Sequence, residues 1–138
     1  MFVYERKVHF YETDAQGLLH HSNYFRIFEE TRGEFLRNLG FPYSQLRQRG
    51  YEVVLLDAQA KYLRPIFYDD LIRVELKLDE LTKVRFSFSY TVTVGSELKA
   101  KGRTSHCVVK KGKPVRIPKE LYEVLSKKCF NNSLTGGG

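Results

Sequence analysis

The chain has 138 residues, 42% hydrophobic and 14% aromatic, which is material for one domain with a real core and no bias toward disorder. A formal charge of +7, from 23 Lys and Arg against 16 Asp and Glu, points to anionic partners, but the basic residues are scattered along strand-like segments and no nucleic-acid motif is present, which argues against nucleic acid. The longest apolar runs, such as Val53-Val54-Leu55-Leu56, are too short to span a bilayer, and the N-terminus reads as a strand rather than a signal segment. Cys107 and Cys129 match neither a disulfide framework nor a metal pattern, so a cytoplasmic protein without a transmembrane segment is expected.

Phe2 to Phe10 alternates and predicts a first strand, with Val8 and Phe10 facing opposite to a half-exposed His9. It leads into the stretch Tyr11 to Tyr24, where Asp14 and Gly17 stand three residues apart ahead of a helix. The first N–H groups of a helix have no internal partner and the aligned peptide dipoles leave that end partly positive, which suits a carbonyl oxygen gaining negative charge. Asp14 would supply a base or nucleophile, and Gly17 a turn with positive φ or a close backbone approach. Spacing of this kind is also that of an ordinary turn with a capping Asp. His20 and His21 are adjacent and expected to point in different directions, with no Cys, Asp or Glu at ligand spacing, so no metal ion is expected.

From Tyr24 to Leu39 the apolar positions Tyr24, Ile27, Phe28, Thr31, Phe35 and Leu39 recur every three or four residues, with Phe25 and Leu36 widening the stripe. Ser22 is the predicted N-cap and Gly40 the residue past the C-cap, with Pro42 preventing continuation. Glu29 and Arg32, one turn apart, are expected to form a surface ion pair. A second short helix falls within 42–50. Strands are then predicted at 53–63, 71–81, 85–95 and 98–110, with turns at Pro65 to Asp70 and at Lys111 to Pro114. In the third of these, Phe86, Phe88, Tyr90, Val92 and Val94 line one face and Ser or Thr the other. A terminal helix is predicted at 118–127, and a loose tail over 129–138. One sizeable helix against long antiparallel strands predicts an α+β domain over 1–128, its sheet wrapped around that helix. Long strands leave an edge that favours pairing of subunits.

Three motifs in this order resemble one known family: Thr13-Asp14-x-x-Gly17-x-x-x-His21-x-x-Tyr24, then Phe28-Glu29 with Arg32, then Tyr62-Leu63-Arg64-Pro65 with Tyr68-Asp69-Asp70. From Arg6 to about Leu125 the chain is similar to the hotdog-fold acyl-CoA thioesterases of the 4-hydroxybenzoyl-CoA thioesterase type, including those associated with the bacterial tol-pal system. The resemblance implies hydrolysis of an acyl-CoA to a carboxylic acid and coenzyme A without a cofactor. It implies Asp14 as nucleophile or general base, and the amide of His21 holding the thioester carbonyl oxygen. It also implies a site shared between two subunits of a dimer or tetramer. Gly17 and Tyr24 are expected to bind substrate and the His21 ring to line the pocket. By analogy Lys83, Arg85 and Arg116 are candidates for the coenzyme phosphates, and Arg64 for holding its turn. Glu29, where another branch of the fold carries its acid, is expected to be structural. Leu18, Leu19 and Lys7 depart from the usual pattern and bear on acyl preference. The alternative function is a non-catalytic acyl-CoA or fatty-acid binder on the same fold.

Overall fold

Alternation of large apolar residues with Ser and Thr makes β4 (Arg85–Val94) a strand with one buried face, and Phe86, Phe88, Tyr90 and Val92 are all shielded from solvent. Around it the computed structural model, which describes residues 1–136 and the side chains of 1–128, places β1 (Phe2–Lys7), α1 (Tyr24–Asn38), α2 (Tyr43–Gln48), β2 (Tyr51–Tyr62), β3 (Leu71–Leu81), β5 (Glu97–Lys110), β6 (Lys113–Val115) and α3 (Lys119–Gly136). The strands form one antiparallel sheet in the order β1-β3-β4-β5-β2, and β6 pairs with the end of β5.

The sheet curls around α1, as predicted, in a hotdog arrangement. Phe28 stacks on Tyr90 with ring centroids 4.4 Å apart, and Phe35 meets Phe88 and Phe2 edge-on at 5.6 Å. Leu121 and Leu125 of α3 are fully buried. The helix packs tightly onto the sheet at Gly102, where a side chain would overlap the Phe28 ring and approach the Gln59 carbonyl oxygen to 3.1 Å. Only glycine fits there.

Several local expectations are corrected. The first strand stops at Lys7 because the Glu12 carboxylate accepts the His9 N–H at 2.9 Å, and a 3-10 turn (Phe10–Glu12) follows, leaving Phe10 exposed while Val8 stays buried. Ser22 is not the N-cap: a 3-10 turn (His21–Asn23) precedes α1, and His20 Nδ1 accepts the Ser22 N–H at 3.2 Å. At the other end Gly40 adopts φ 89°, donating to the Arg37 carbonyl while Phe41 N–H reaches that of Leu36, the double closure expected of a glycine past a helix end. α3 continues beyond its predicted end, and the expected tail at 129–138 falls on residues whose side chains, Cys129 included, lie outside the described ones.

In β2 the ladder shifts register between Leu55 and Asp57. One extra residue reverses the side-chain parity. Tyr51, Val53 and Leu55 face the α1 side before it, and Ala60 and Tyr62 after it.

Replacing Gly102 by Ala is expected to cost about 1–3 kcal/mol through overpacking against Phe28. Urea unfolding measures this, and a paired Phe28→Leu change recovers part of the loss.

Candidate active site

A tight turn sets Asp14. Thr13 and Leu19 bridge across it, Asp14 N–H donates to the Leu18 carbonyl at 2.8 Å, and Gly17 N–H returns to the Asp14 carbonyl at 3.0 Å. Gly17 sits at φ 80° in open space, so the turn needs its conformational freedom rather than its small size. Asp14 Oδ1 accepts the N–H groups of Gln16 (2.8 Å) and Leu18 (3.1 Å), which aims the side chain and leaves Oδ2 without a partner among the described residues.

The loop is held from beneath by an ion pair. Arg6 donates two parallel hydrogen bonds to the Glu12 carboxylate at 2.7 and 2.6 Å, and its Nε donates to Glu30 of α1 at 2.7 Å. The Glu12 side chain is 5% exposed. Burial pushes its carboxyl upward, but the Arg6 hydrogen bonds and charge, with the His9 N–H, outweigh this and hold it below the usual range. The Glu12 carbonyl then accepts from His20 N–H and from the Asn23 side chain, both at 2.9 Å, which draws the loop onto the start of α1.

Asp14 opens onto a cleft of about 390 Å³ lined also by Leu18, Leu19, His20, His21 and Tyr24, with Tyr62 to Pro65 opposite. Tyr24 packs edge-on against Tyr62 at 4.7 Å, and burial, then the neighbouring Tyr62, pushes its hydroxyl pKa up. The histidine rings stack at 4.2 Å and share the cleft, against the expectation that they diverge. The His21 N–H has no acceptor among the described residues. Asp14, with one carboxylate oxygen unengaged, and His21, with its N–H unengaged, thus line one cleft at the opening of a helix, a combination that suits acyl transfer.

Gly17 shapes the loop without lining the cleft. Lys83 and Arg116 line a different cavity, of about 600 Å³, with Tyr51 and Tyr122, and Arg85 begins β4 without lining it. That cavity lies toward the Tyr51 end of β2 and the Asp14 cleft toward the Tyr62 end, roughly 35 Å along an extended strand of this length. Within one chain the candidate phosphate ligands and Asp14 are therefore apart. Tyr62 and Arg64, read from sequence as a turn motif, stand at the cleft itself.

The Glu29–Arg32 ion pair is absent. Arg32 turns inward, 8% exposed, and its Nη1 donates to the Tyr90 hydroxyl at 3.2 Å because it falls four residues after Phe28 on the buried stripe. The Tyr90 hydroxyl meets Thr104 Oγ1 at 2.7 Å, and His106 Nε2 meets the same oxygen at 2.9 Å. Burial, then the Arg32 charge, pushes His106 down to about 3.

The sequence pattern of the thioesterase-like superfamily matches residues 8–125. A 1,4-dihydroxy-2-naphthoyl-CoA hydrolase of Thermosynechococcus vestitus is 31% identical over 117 residues, covering 83% of this chain and 80% of its own length. An acyl-CoA thioesterase of Haemophilus influenzae is 28% identical over 123 residues, covering 87% and 90%. The crystal structure of a hypothetical protein from Aquifex aeolicus superimposes with a TM-score of 0.88 at 59% identity, covering 91% of this chain and 99% of that one.

Two stability predictions follow from these contacts. Arg6→Met leaves the Glu12 carboxylate buried and unpaired and is expected to cost about 3 kcal/mol in chemical unfolding at neutral pH. Because His106 titrates near its ordinary value only when unfolded, its contribution is present above about 6.5 and drains away as pH falls toward about 3, by at most about 1.4 kcal/mol per pH unit. Urea titrations from pH 7 to 4 are expected to show a flatter acid limb for His106→Gln than for the unaltered protein.

Proposed function

The chain belongs to the thioesterase-like superfamily, and on that premise we propose that it hydrolyses an acyl-CoA thioester to a carboxylic acid and free coenzyme A. The observation that carries this is that Asp14, whose Oδ2 is unengaged, and His21, whose N–H is unengaged, line one cleft. The amide N–H donates to the thioester carbonyl oxygen and stabilises the charge that develops on it. Asp14 Oδ2 then acts in one of two ways. As nucleophile it attacks the carbonyl carbon, expels the coenzyme thiolate and leaves a mixed anhydride that water opens. As base it takes a proton from the attacking water while the same C–S bond breaks, and the thiolate is protonated on release. The names of the relatives above, an acyl-CoA thioesterase and a 1,4-dihydroxy-2-naphthoyl-CoA hydrolase, agree with a coenzyme A thioester as substrate.

The cleft is half of a site in this reading of the function. β2 is an edge strand of 12 residues whose Leu55 and Leu56 are about half exposed, so its unpaired backbone is open to a second copy. Two-fold antiparallel pairing of β2 would bring the Tyr51 end of one copy beside the Tyr62 end of the other. Lys83 and Arg116 of the second copy would then flank the Asp14 cleft and meet the coenzyme phosphates, which one chain alone cannot arrange.

Thiol release measured over a panel of acyl-CoAs tests the reading. Asp14→Asn is expected to lower kcat by at least about 10³-fold, and His21→Pro, which removes the amide hydrogen at a turn position that tolerates proline, by about 10²–10³-fold. His21→Ala keeps the N–H and is expected to lose less than His21→Pro. Acyl-CoA binding without thiol release from the unaltered protein would instead identify a non-catalytic binder. Single-turnover reaction in ¹⁸O water separates the two roles, since label enters Asp14 only through the anhydride.

A further inference from the structure

The Asp14 cleft holds a donor that the reaction described above leaves unused. Of the chain's four histidines, His106 lies in a separate cavity of about 580 Å³ between α1, α2 and the first half of β2, where it is buried and its Nε2 is engaged by Thr104. His9 stacks on Tyr11 at 5.3 Å, and neither lines the Asp14 cleft. His20 and His21 do, and among the described residues it is the His20 ring that hydrogen bonds fix. Its Nδ1 accepts the Ser22 N–H at 3.2 Å and meets Ser22 Oγ at 2.8 Å. A backbone N–H can only donate, so Nδ1 presents its lone pair and the neutral ring carries its proton on Nε2. Nε2 itself has no partner among the described residues. The residue is held at its backbone too, since its N–H donates to the Glu12 carbonyl at 2.9 Å, and the His21 ring stacks against the imidazole at 4.2 Å. Capping the 3-10 turn asks only for an acceptor, which Ser, Asp or Asn supplies with a shorter side chain. The imidazole adds a donor, already oriented, to the wall of the cleft.

We propose that His20 is a further catalytic residue, whose Nε2–H donates to the sulfur of the bound thioester and stabilises the thiolate as the C–S bond breaks. The inference rests on the hydrolase reading and deepens it. The cleft is closed off at the buried Leu19 and Tyr24 and open at the exposed His20, His21 and Arg64. The coenzyme arm is long and polar and leads to solvent, so the sulfur that joins it to the acyl group lies on the open side. There residue 20 offers its ring and residue 21 its N–H, neighbouring donors for the sulfur and the oxygen that gain charge on one carbonyl carbon. The electron pair of the C–S bond passes to sulfur, the proton stays on Nε2, and the departing thiolate takes its own proton from solvent. A neutral imidazole polarises in this way without ionising, and its bond strengthens as charge builds on the acceptor.

Two thioesters of one acid test the assignment: that of N-acetylcysteamine, whose thiolate is basic like the coenzyme's, and that of thiophenol, whose weakly basic thiolate leaves without help. His20→Ser keeps an oxygen for the Ser22 N–H and removes the ring, whereas His20→Gln brings an amide N–H near the place of Nε2 and gives up the cap. His20→Ser is expected to lower kcat by about 10- to 100-fold on the N-acetylcysteamine thioester and by less than about threefold on the thiophenyl one, and His20→Gln to keep part of the lost rate. Equal losses on the two thioesters, or a larger loss in His20→Gln than in His20→Ser, assign the residue to capping alone and overturn the proposal. Free coenzyme A gives a readout that needs no turnover, because its thiolate absorbs in the ultraviolet. The bound thiol is expected to titrate about one pH unit lower on the unaltered protein than on His20→Ser, a tenfold effect expressed as acidity. If no thioester releases thiol, the hydrolase reading fails by itself, and this titration still decides His20: a shift that His20→Ser abolishes upholds the donor, and identical titrations remove it.

Discussion

Loop 12–23 carries both candidate reacting groups, and its geometry depends on the paired hydrogen bonds from Arg6 to Glu12. A bidentate guanidinium–carboxylate pair fixes orientation as well as distance, and here it is almost dry. Through Glu12 it reaches His9, His20 and Asn23, and through the Arg6 Nε it reaches Glu30 in the second turn of α1. One side chain of the edge strand β1 therefore sets the loop against the helix. The Asp14 turn, stitched by its own backbone, is carried on that frame as a rigid unit.

Burial and charge are arranged oppositely in the two parts of α1. At its start, polar groups are left unengaged beside a cleft; roughly two turns further on, a cation is driven into the interior beside Tyr90. Phe28 lies between, pressed onto the one strand position that lacks a side chain. That contact fixes how far the helix sits from the sheet, and hence the depth of both cavities. A central helix gripped in this way can carry polar groups at its start and in its middle.

The strands and α1 were legible because their burial is one-sided: Phe86 to Val94 with period two, Ile27 to Leu36 with a period near 3.6. Gly40 could be read as well, since only a residue at ease with positive φ closes a helix in that way. Arg32 was not read, although its spacing four after Phe28 put it on the buried stripe; its charge suggested the surface, and the hydroxyls of Tyr90 and Tyr43, brought from β4 and α2, make the interior tolerable. Ser22 does not cap α1 because the chain enters the helix through a 3-10 turn that His20 caps, leaving Asn23 at the N-cap of α1, a detail of backbone geometry that composition does not encode. The two cavities could not be anticipated from motifs, because each joins segments tens of residues apart.

The bulge at Leu56 gives β2 a double life. Odd-numbered side chains before it and even-numbered ones after it look toward the helix, so neighbouring stretches of a single strand furnish two separate compartments. Changes at 51, 53 and 55 can therefore remodel one compartment while 60 and 62 keep the other as it was. Substitutions in one half of the strand can thus accumulate while the wall built by the other half stays intact.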